Sequence, residues 1–296
     1  MSPTERIQRS SRRSVPCRAE GGPLERCGCH VFSLWGVFTL LPDLAFRRGW
    51  PFVLSWCQRL SGLILLCFLA AHILTLSLLP DRGAYDAKMR LFSSFVFASL
   101  EWLLALPVIF HALNGGRLIL YEGFAVRDDR VMIRWVLCLS SLYMVLLGWA
   151  MANGDQFVSA PFFWLSVLAL AMCLTSSTAG RFWMSQQSLG WRLHRISGVL
   201  LLVMLPAHMF FMHLSFPVAH EASVVLERMR GLFIRGVDFV LLAAALFHGG
   251  YGAFSVMGDY LRLRALRGVL GLVLTALVLY LAWIGIGVLC GPDGGS

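Results

Sequence analysis

Lysine is almost missing from this chain. Of its 25 basic residues only Lys88 is a lysine, so 24 are arginines, and charged residues of all kinds make up 14% of the 296. No G-x-G-x-x-G fingerprint and no P-loop occurs, which excludes a nucleotide-binding domain of either kind, and no hydrophilic stretch is long enough to form a soluble catalytic domain. The eight cysteines make neither a disulfide framework nor a metal-ligand spacing. Cys27 and Cys29 flank a single residue before His30, whereas covalent haem attachment needs two residues between the cysteines. Cys57, Cys67, Cys138, Cys173 and Cys290 fall in or beside apolar runs and read as small packing residues.

What the chain has in abundance is apolar surface. Hydrophobic residues reach 58% and the mean hydropathy is +0.72, too apolar for a soluble domain of this length. Runs long enough to cross a hydrocarbon layer of about 30 Å, which takes about 20 residues, lie near 52–79, 98–121, 131–152, 160–179, 193–215, 236–257 and 267–290. The fold class is therefore an all-α integral membrane protein with about seven transmembrane helices. The run from Val31 to Leu41 is too short to cross and is broken by Pro42 and Asp43, so it reads as interfacial or as part of a leader. Residues 1–49 are basic and serine-rich, and are expected to be disordered or interfacial.

The net charge of +9 reads as membrane orientation rather than nucleic-acid binding, because the arginines gather between alternate spans. The flanks holding Arg6 to Arg48, Arg127 to Arg134, Arg181 and Arg192, and Arg262 to Arg267 are basic. Asn153 to Ala160 and the tail after Cys290 have no basic residue, and the other two flanks mix bases with acids. The N-terminus is expected inside.

The first span is repeated by the fifth. Arg59, Ser61, Gly62 and His72 correspond to Arg195, Ser197, Gly198 and His208, all at an offset of 136. The second span is echoed by the sixth, His111 aligning with His248 and Glu101 with Asp238 at an offset of 137. The chain thus reads as a basic extension (1–49), a first three-helix unit (50–152), a linker helix (153–185), a second three-helix unit (186–290) and a tail (291–296). The linker is required by parity, since two parallel units of three crossings need one extra crossing to face the same way.

Depth follows from position at about 1.5 Å per residue. His72 and His208 lie 13 residues beyond their arginines, toward the outer side. His111 and His248, on helices running back, belong to the inner half. A single intramembrane histidine is most often hydrogen-bonded to a neighbouring helix, but four at repeat-related positions form two pairs at two levels. Ligating groups in hydrocarbon are costly and mark function, and imidazole is a standard axial ligand of haem iron. Gly115, Gly116, Gly249, Gly250 and Gly252, near His111 and His248, either make room for a macrocycle or serve close helix packing. His194, His213, His30 and His220 have no repeat partner and read as interfacial or packing residues, with His194 lining a cavity near Arg195. Glu101 and Asp238 are either proton-handling groups or acids favoured at helix starts by the dipole.

These motifs resemble the membrane-anchor cytochrome b of succinate:quinone oxidoreductases, the succinate dehydrogenases and fumarate reductases. Ser55, Gln58, Arg59, Ser61 and Gly62 look like the larger anchor subunit's Ser-x-x-His-Arg-x-[Ser/Thr]-Gly, with Gln58 in place of His. His111, Gly115, Arg117 and Glu122 resemble that subunit's His-x3-Gly-x-Arg closing on an acid. His248, Gly252, Asp259 and Tyr260 resemble the smaller subunit's His-x3-Gly-x6-Asp-Tyr. The likeness runs from about 50 to 290, as though both anchor subunits were fused.

It implies a four-helix core binding two b haems, one through His111 and His248 and the other through His72 and His208, with Arg117 near a propionate. It also implies a quinone site at Ser55, Arg59 and Tyr260, with Asp259 orienting one of them. A quinone gaining electrons builds negative charge that Tyr, Arg and Ser can stabilise and protonate. Succinate or fumarate chemistry would belong to partners, a flavoprotein subunit and an iron-sulfur subunit on the inner face, with ubiquinone or menaquinone in the lipid as the electron carrier. A bacterial inner membrane fits this pattern better than a mitochondrial one. Two other readings stay open: a dihaem cytochrome b anchoring another quinone-linked dehydrogenase, and a haem-free membrane anchor or transporter.

Overall fold

Nine helices and no strands make up the described part of the chain, residues 49–92, 95–153, 160–213 and 221–291 of a computed structural model. The run 31–41, Cys27, Cys29, His30 and His220 lie outside the described residues, as does the side chain of His213. In chain order the helices are α1 (Trp50–Leu76), α2 (Arg82–Phe92), α3 (Phe95–Phe124), α4 (Asp129–Asn153), α5 (Ala160–Trp183), α6 (Leu189–His213), α7 (Ala222–Met229), α8 (Leu232–Tyr260) and α9 (Arg264–Cys290). All belong to one unit, Leu44–Ser296. Seven of them, all except α2 and α7, are long and apolar enough to cross a membrane.

An isolated helix satisfies its own backbone groups, which is why it is the unit that can stand in lipid. Pro51 stands in the first turn of α1, where no amide hydrogen is needed, and Gly49 caps the helix with a φ of 84°. The seven long helices alternate in direction, giving a proximal end, where α1 begins, and a distal end, where it finishes. Helices α1, α3, α6 and α8 pack in a closed ring, α1 against α3 and α8, and α6 against the same two.

The remaining spans wrap this ring. Helix α4 packs on α3, with Met144 and Leu147 buried against Ala105, Val108 and Met209. Helix α9 lies on α8 and α1, where Leu281 meets Ile73 and Leu246. Helix α5 packs along α6, burying Trp164 completely among Leu201, Met204 and Leu241. The outward faces stay apolar, as with Trp283 at 78% and Trp149 at 67% exposure, which in lipid is no penalty.

Sequence patterning misses α2 and α7 because both are too short and too polar to register as spans. They are repeat-related and meet at the distal end, where Asp86 Oδ1 accepts a hydrogen bond from the Ala222 amide at 2.9 Å. Under that contact Leu79, Tyr85 and Ala222 are buried with Met229 and Val288. The two short helices thereby cover the distal end of the bundle.

Burial, and then the Asp86 charge, push the Tyr85 phenol from its ordinary value near 10 up to about 12. The folded protein holds this proton more tightly than the unfolded chain does. The stability it contributes is full below pH 10 and is lost as pH rises toward 12. Thermal unfolding of the detergent-solubilised protein should show a decline across that window that is smaller in Tyr85→Phe, and an identical decline in the variant would remove Tyr85 as its source.

Candidate functional site

His111 on α3 and His248 on α8 face one another inside the ring, their imidazole centroids 6.2 Å apart and the planes perpendicular. Each is gripped from the helix that precedes it in its own half. The His111 Nδ1–H donates to the Gln58 carbonyl at 3.2 Å, with Ser61 Oγ also at 3.2 Å. The His248 Nδ1–H donates to the His194 carbonyl at 3.1 Å, with Ser197 Oγ at 3.3 Å. Both serine hydroxyls donate to those same carbonyls, each at 3.1 Å.

A carbonyl can only accept, so the contact fixes the proton on Nδ1 and leaves the Nε2 lone pair of each neutral ring pointing elsewhere. Neither Nε2 meets a hydrogen-bonding partner among the described residues, and both rings line an internal cavity of about 1420 Å³. Histidines held in this way through one nitrogen could ligate a metal through the other.

Of the glycines near these histidines Gly115, Gly249 and Gly252 line the cavity, and two further glycines seat the rings. A Cβ on Gly62 would lie 2.9 Å from His111 Cε1 and one on Gly198 3.0 Å from His248 Cε1, so the Ser-Gly pairs of α1 and α6 cradle the two rings. Gly116, Gly249 and Gly250 instead admit Leu202, Leu66 and Val278, which is close helix packing, while Gly115 and Gly252 sit next to Gln58 and His194.

His72 and His208 line the same cavity further along. Each lies ten residues past its cradle glycine, about 15 Å along the helix. The His208 Nδ1 stands 3.8 Å from Asp238 Oδ1, and its ring lies 6.5 Å from that of Trp164. Asp238 and Glu101 are not helix-start acids as one alternative had it. Each sits six residues into its helix, past the turn where the dipole acts, and both line the cavity. At about 1420 Å³ the cavity exceeds the roughly 300–1,000 Å³ of a single small-molecule site.

At the proximal mouth the structure brings together Ser55, Arg59, Asp259 and Tyr260. Arg59 Nη2 donates to Asp259 Oδ2 at 3.0 Å and Nη1 to Ser55 Oγ at 3.4 Å, while its guanidinium lies 5.7 Å from the Tyr260 ring centre. Ser55, Arg59 and Asp259 line the cavity, and Tyr260 stands at its rim against Trp56, ring centroids 5.6 Å apart. Asp259 is thus the partner of Arg59. Arg117, expected near a haem propionate, is 7% exposed, lines the cavity, and pairs with Asp129 and with Asn114 Oδ1 at 2.9 Å.

Two residues carried more than the sequence reading gave them. His194 is no isolated packing residue: it stacks parallel on His248 at 4.1 Å, and Arg195 donates to its Nδ1 at 3.2 Å. Asn114, fully buried, donates to Gln58 Oε1 at 2.9 Å, while Gln58 Nε2 donates to the His111 carbonyl at 3.1 Å. The signal for His194 was available, since it occupies the repeat position of Gln58. Asn114 has no repeat partner that would have singled it out. Among the described residues no three His, Cys, Asp or Glu side chains form a group that could hold a metal ion.

The fold and this site define a multi-pass helical membrane protein with histidines facing across its core. Residues 42–148 match the family model described as succinate dehydrogenase/fumarate reductase transmembrane subunit. A curated relative, succinate dehydrogenase 2 membrane subunit SdhC of Mycobacterium tuberculosis, is 32% identical over 110 residues, which are 36% of this chain and 79% of the relative. No solved structure matches. The chain belongs to the succinate dehydrogenase/fumarate reductase transmembrane subunit family. The family match ends at 148, so His194, His208, His248 and Tyr260 lie beyond it.

Gly62→Ala should displace the His111 ring, because the new methyl would meet a ring carbon at 2.9 Å. Overpacking of this kind costs about 1–3 kcal/mol. A lowered thermal midpoint in Gly62→Ala, with a similar loss in Gly198→Ala, is expected, and unchanged midpoints in both would mean the cradle is loose.

Proposed function

We propose that this chain is the membrane anchor and b-type cytochrome of a succinate dehydrogenase or fumarate reductase complex, with the two anchor subunits of such complexes fused in one polypeptide. The observation that carries the reading is the mirrored grip on His111 and His248: two imidazoles held by backbone carbonyls and serines at repeat-related positions, their free nitrogens in a shared cavity.

Haem, when bound, supplies a one-electron redox centre whose potential the protein tunes through ligation and dielectric. His111 and His248 would ligate one haem, with Gln58 and His194 fixing ring orientation through their carbonyls. His72 and His208 would ligate a second, about 15 Å further along the helices. Arg117 lines the cavity and carries the positive charge suited to a propionate, with Asp129 holding it in place.

At the proximal mouth a quinone carbonyl would be held by Arg59, Ser55 and Tyr260. Asp259 pairs with Arg59, and the Tyr260 hydroxyl would deliver a proton to the oxygen that becomes negative. Oxidation of succinate, or reduction of fumarate, belongs to a flavoprotein and an iron-sulfur protein docked at the arginine-rich proximal end. That end faces inward by the charge rule, in a bacterial cytoplasmic membrane.

The purified complex is expected to contain two haems b per chain. His111→Ala or His248→Ala should remove one, and His72→Ala or His208→Ala the other; a pyridine haemochrome ratio unchanged in all four refutes the ligand sets. Tyr260→Phe should lower succinate:quinone activity about 10²-fold while leaving succinate-dependent dye reduction intact, and equal loss of both would point to disrupted assembly instead.

A further inference from the structure

At the proximal end the last turns of α3 and α5, both packed on α6, leave an open cleft of about 490 Å³ between them. It owes one wall to α5, the one span with no counterpart in the repeat. Its floor is aromatic. Phe182 is buried and meets Trp191 edge-on at 5.3 Å, and α3 comes down onto it because Gly123 has no side chain: a Cβ there would lie 2.8 Å from Phe182 Cζ. Arg127, Arg181, Ser185 and Gln187 form the rim.

The rim carries charge that nothing balances. Among the described lining residues the one carboxylate is Glu122, and both its oxygens are taken by Arg195, at 2.7 and 2.9 Å. The next acids along the chain are engaged too: Asp128 Oδ1 accepts the Val131 amide at 3.2 Å, and Asp129 pairs with Arg117. Arg127 and Arg181 meet no carboxylate among the described residues. Each lies instead over a ring at the end of α3, Arg127 over Tyr121 at 4.4 Å and Arg181 over Phe124 at 5.5 Å. Rings three residues apart are neighbours on one helix face, so the two guanidinium groups are brought to adjacent positions. A ring engages the flat face of a guanidinium and leaves its in-plane N–H donors free, in the fork that fits a phosphate.

The surroundings select a lipid as the source of that phosphate. The cleft lies where three spans end, beside the exposed rings of Phe124 and Trp183. Leu174 and Leu170 stand seven and eleven residues before Arg181, which puts them on its face of α5, and both are exposed. Apolar surface therefore runs from the phosphate position into hydrocarbon, where a free anion would make no use of it. The volume falls within the roughly 300–1,000 Å³ of a small-molecule site, and Ser185 and Gln187 offer hydrogen-bonding groups to a head group beyond its phosphate. A zwitterionic head group fits less well, because its ammonium has no uncommitted carboxylate to meet.

We propose that this cleft binds the phosphodiester head group of one anionic phospholipid per chain, with Arg127 and Arg181 on the phosphate and the Leu170 and Leu174 face of α5 receiving an acyl chain. Basic recesses between span ends are suited to such head groups. The bound lipid bridges α3 and α5 and so fastens the linker span to the first half. The site is independent of the haem and quinone readings.

The test is native mass spectrometry of the purified protein with its partner subunits, in mild detergent, incubated with phosphatidylglycerol, with phosphatidylcholine of the same chains, or with inorganic phosphate. Diazirine-bearing phosphatidylglycerol is crosslinked to the same preparation and its adducts are mapped. In the unaltered protein one phosphatidylglycerol per chain should stay bound, phosphatidylcholine should be held about tenfold less, and adducts should fall on α3 and α5. The double variant Arg127→Gln, Arg181→Gln should lower phosphatidylglycerol retention about tenfold or more, while Arg130→Gln, Arg134→Gln at the same end leaves it unchanged. Full retention in the first variant, equal retention of phosphatidylcholine, or equal loss in both variants overturns the proposal, the last because it marks a general attraction of the basic end. Inorganic phosphate that excludes phosphatidylglycerol assigns the cleft to a free anion and overturns it too. Lipid that binds only once the soluble subunits are stripped off gives these arginines to a partner protein, with the same consequence. Should the Arg127, Arg181 variant fail to assemble, the crosslink map of the unaltered protein decides, and adducts missing from α3 and α5 overturn the proposal.

Discussion

The bundle depends on two hydrogen bonds from ring nitrogens to backbone carbonyls, His111 to Gln58 and His248 to His194. Inside a low-dielectric bundle an unmet imidazole N–H is expensive, so each histidine ties α3 to α1 or α8 to α6 at one register. Each carbonyl is also the acceptor of the serine one turn on, which leaves little freedom in the ring's tilt. The glycine after each serine is the matching condition, since any side chain there would collide with the ring it is meant to seat.

A second set of contacts joins the halves to one another. Arg59 of the first half pairs with Asp259 of the second, and Arg195 of the second with Glu122 of the first. The histidine grips act within halves and the ion pairs act between them, so the ring of α1, α3, α6 and α8 is closed by both. The exposed Arg59–Asp259 pair contributes little stability, which suits a position where a ligand would compete for the arginine. The bidentate pair at Arg195, with Trp191 against its guanidinium, makes the matching joint on the other side of the ring of helices.

Much of this was legible in one dimension. Seven apolar runs, the offsets of 136 and 137, and the parity argument for a linker helix gave the span count and direction of every long helix, because crossing a membrane is a matter of length and composition. The short helices α2 and α7 were not legible, because their apolar faces are only two turns or so long and acquire a partner only when the distal ends meet. The role of the Ser-Gly pairs was half legible: their recurrence was plain, but their function as seats for the histidines of the next helix is a contact across 50 residues. The partners of Arg117 were not legible, because counting residues gives depth and says nothing of which way a side chain turns toward Asp129 and Asn114.

The sequence by itself determined that the chain is a helical membrane protein with seven spans and repeated histidine positions, since hydropathy and periodicity are properties of the chain alone. Only the tertiary structure decided which imidazole nitrogen is held, which arginine pairs with which half's acid, and how α5 breaks the symmetry. Those outcomes depend on distances of about 3 Å between helices far apart in the chain, and such distances are set by packing rather than by any local pattern.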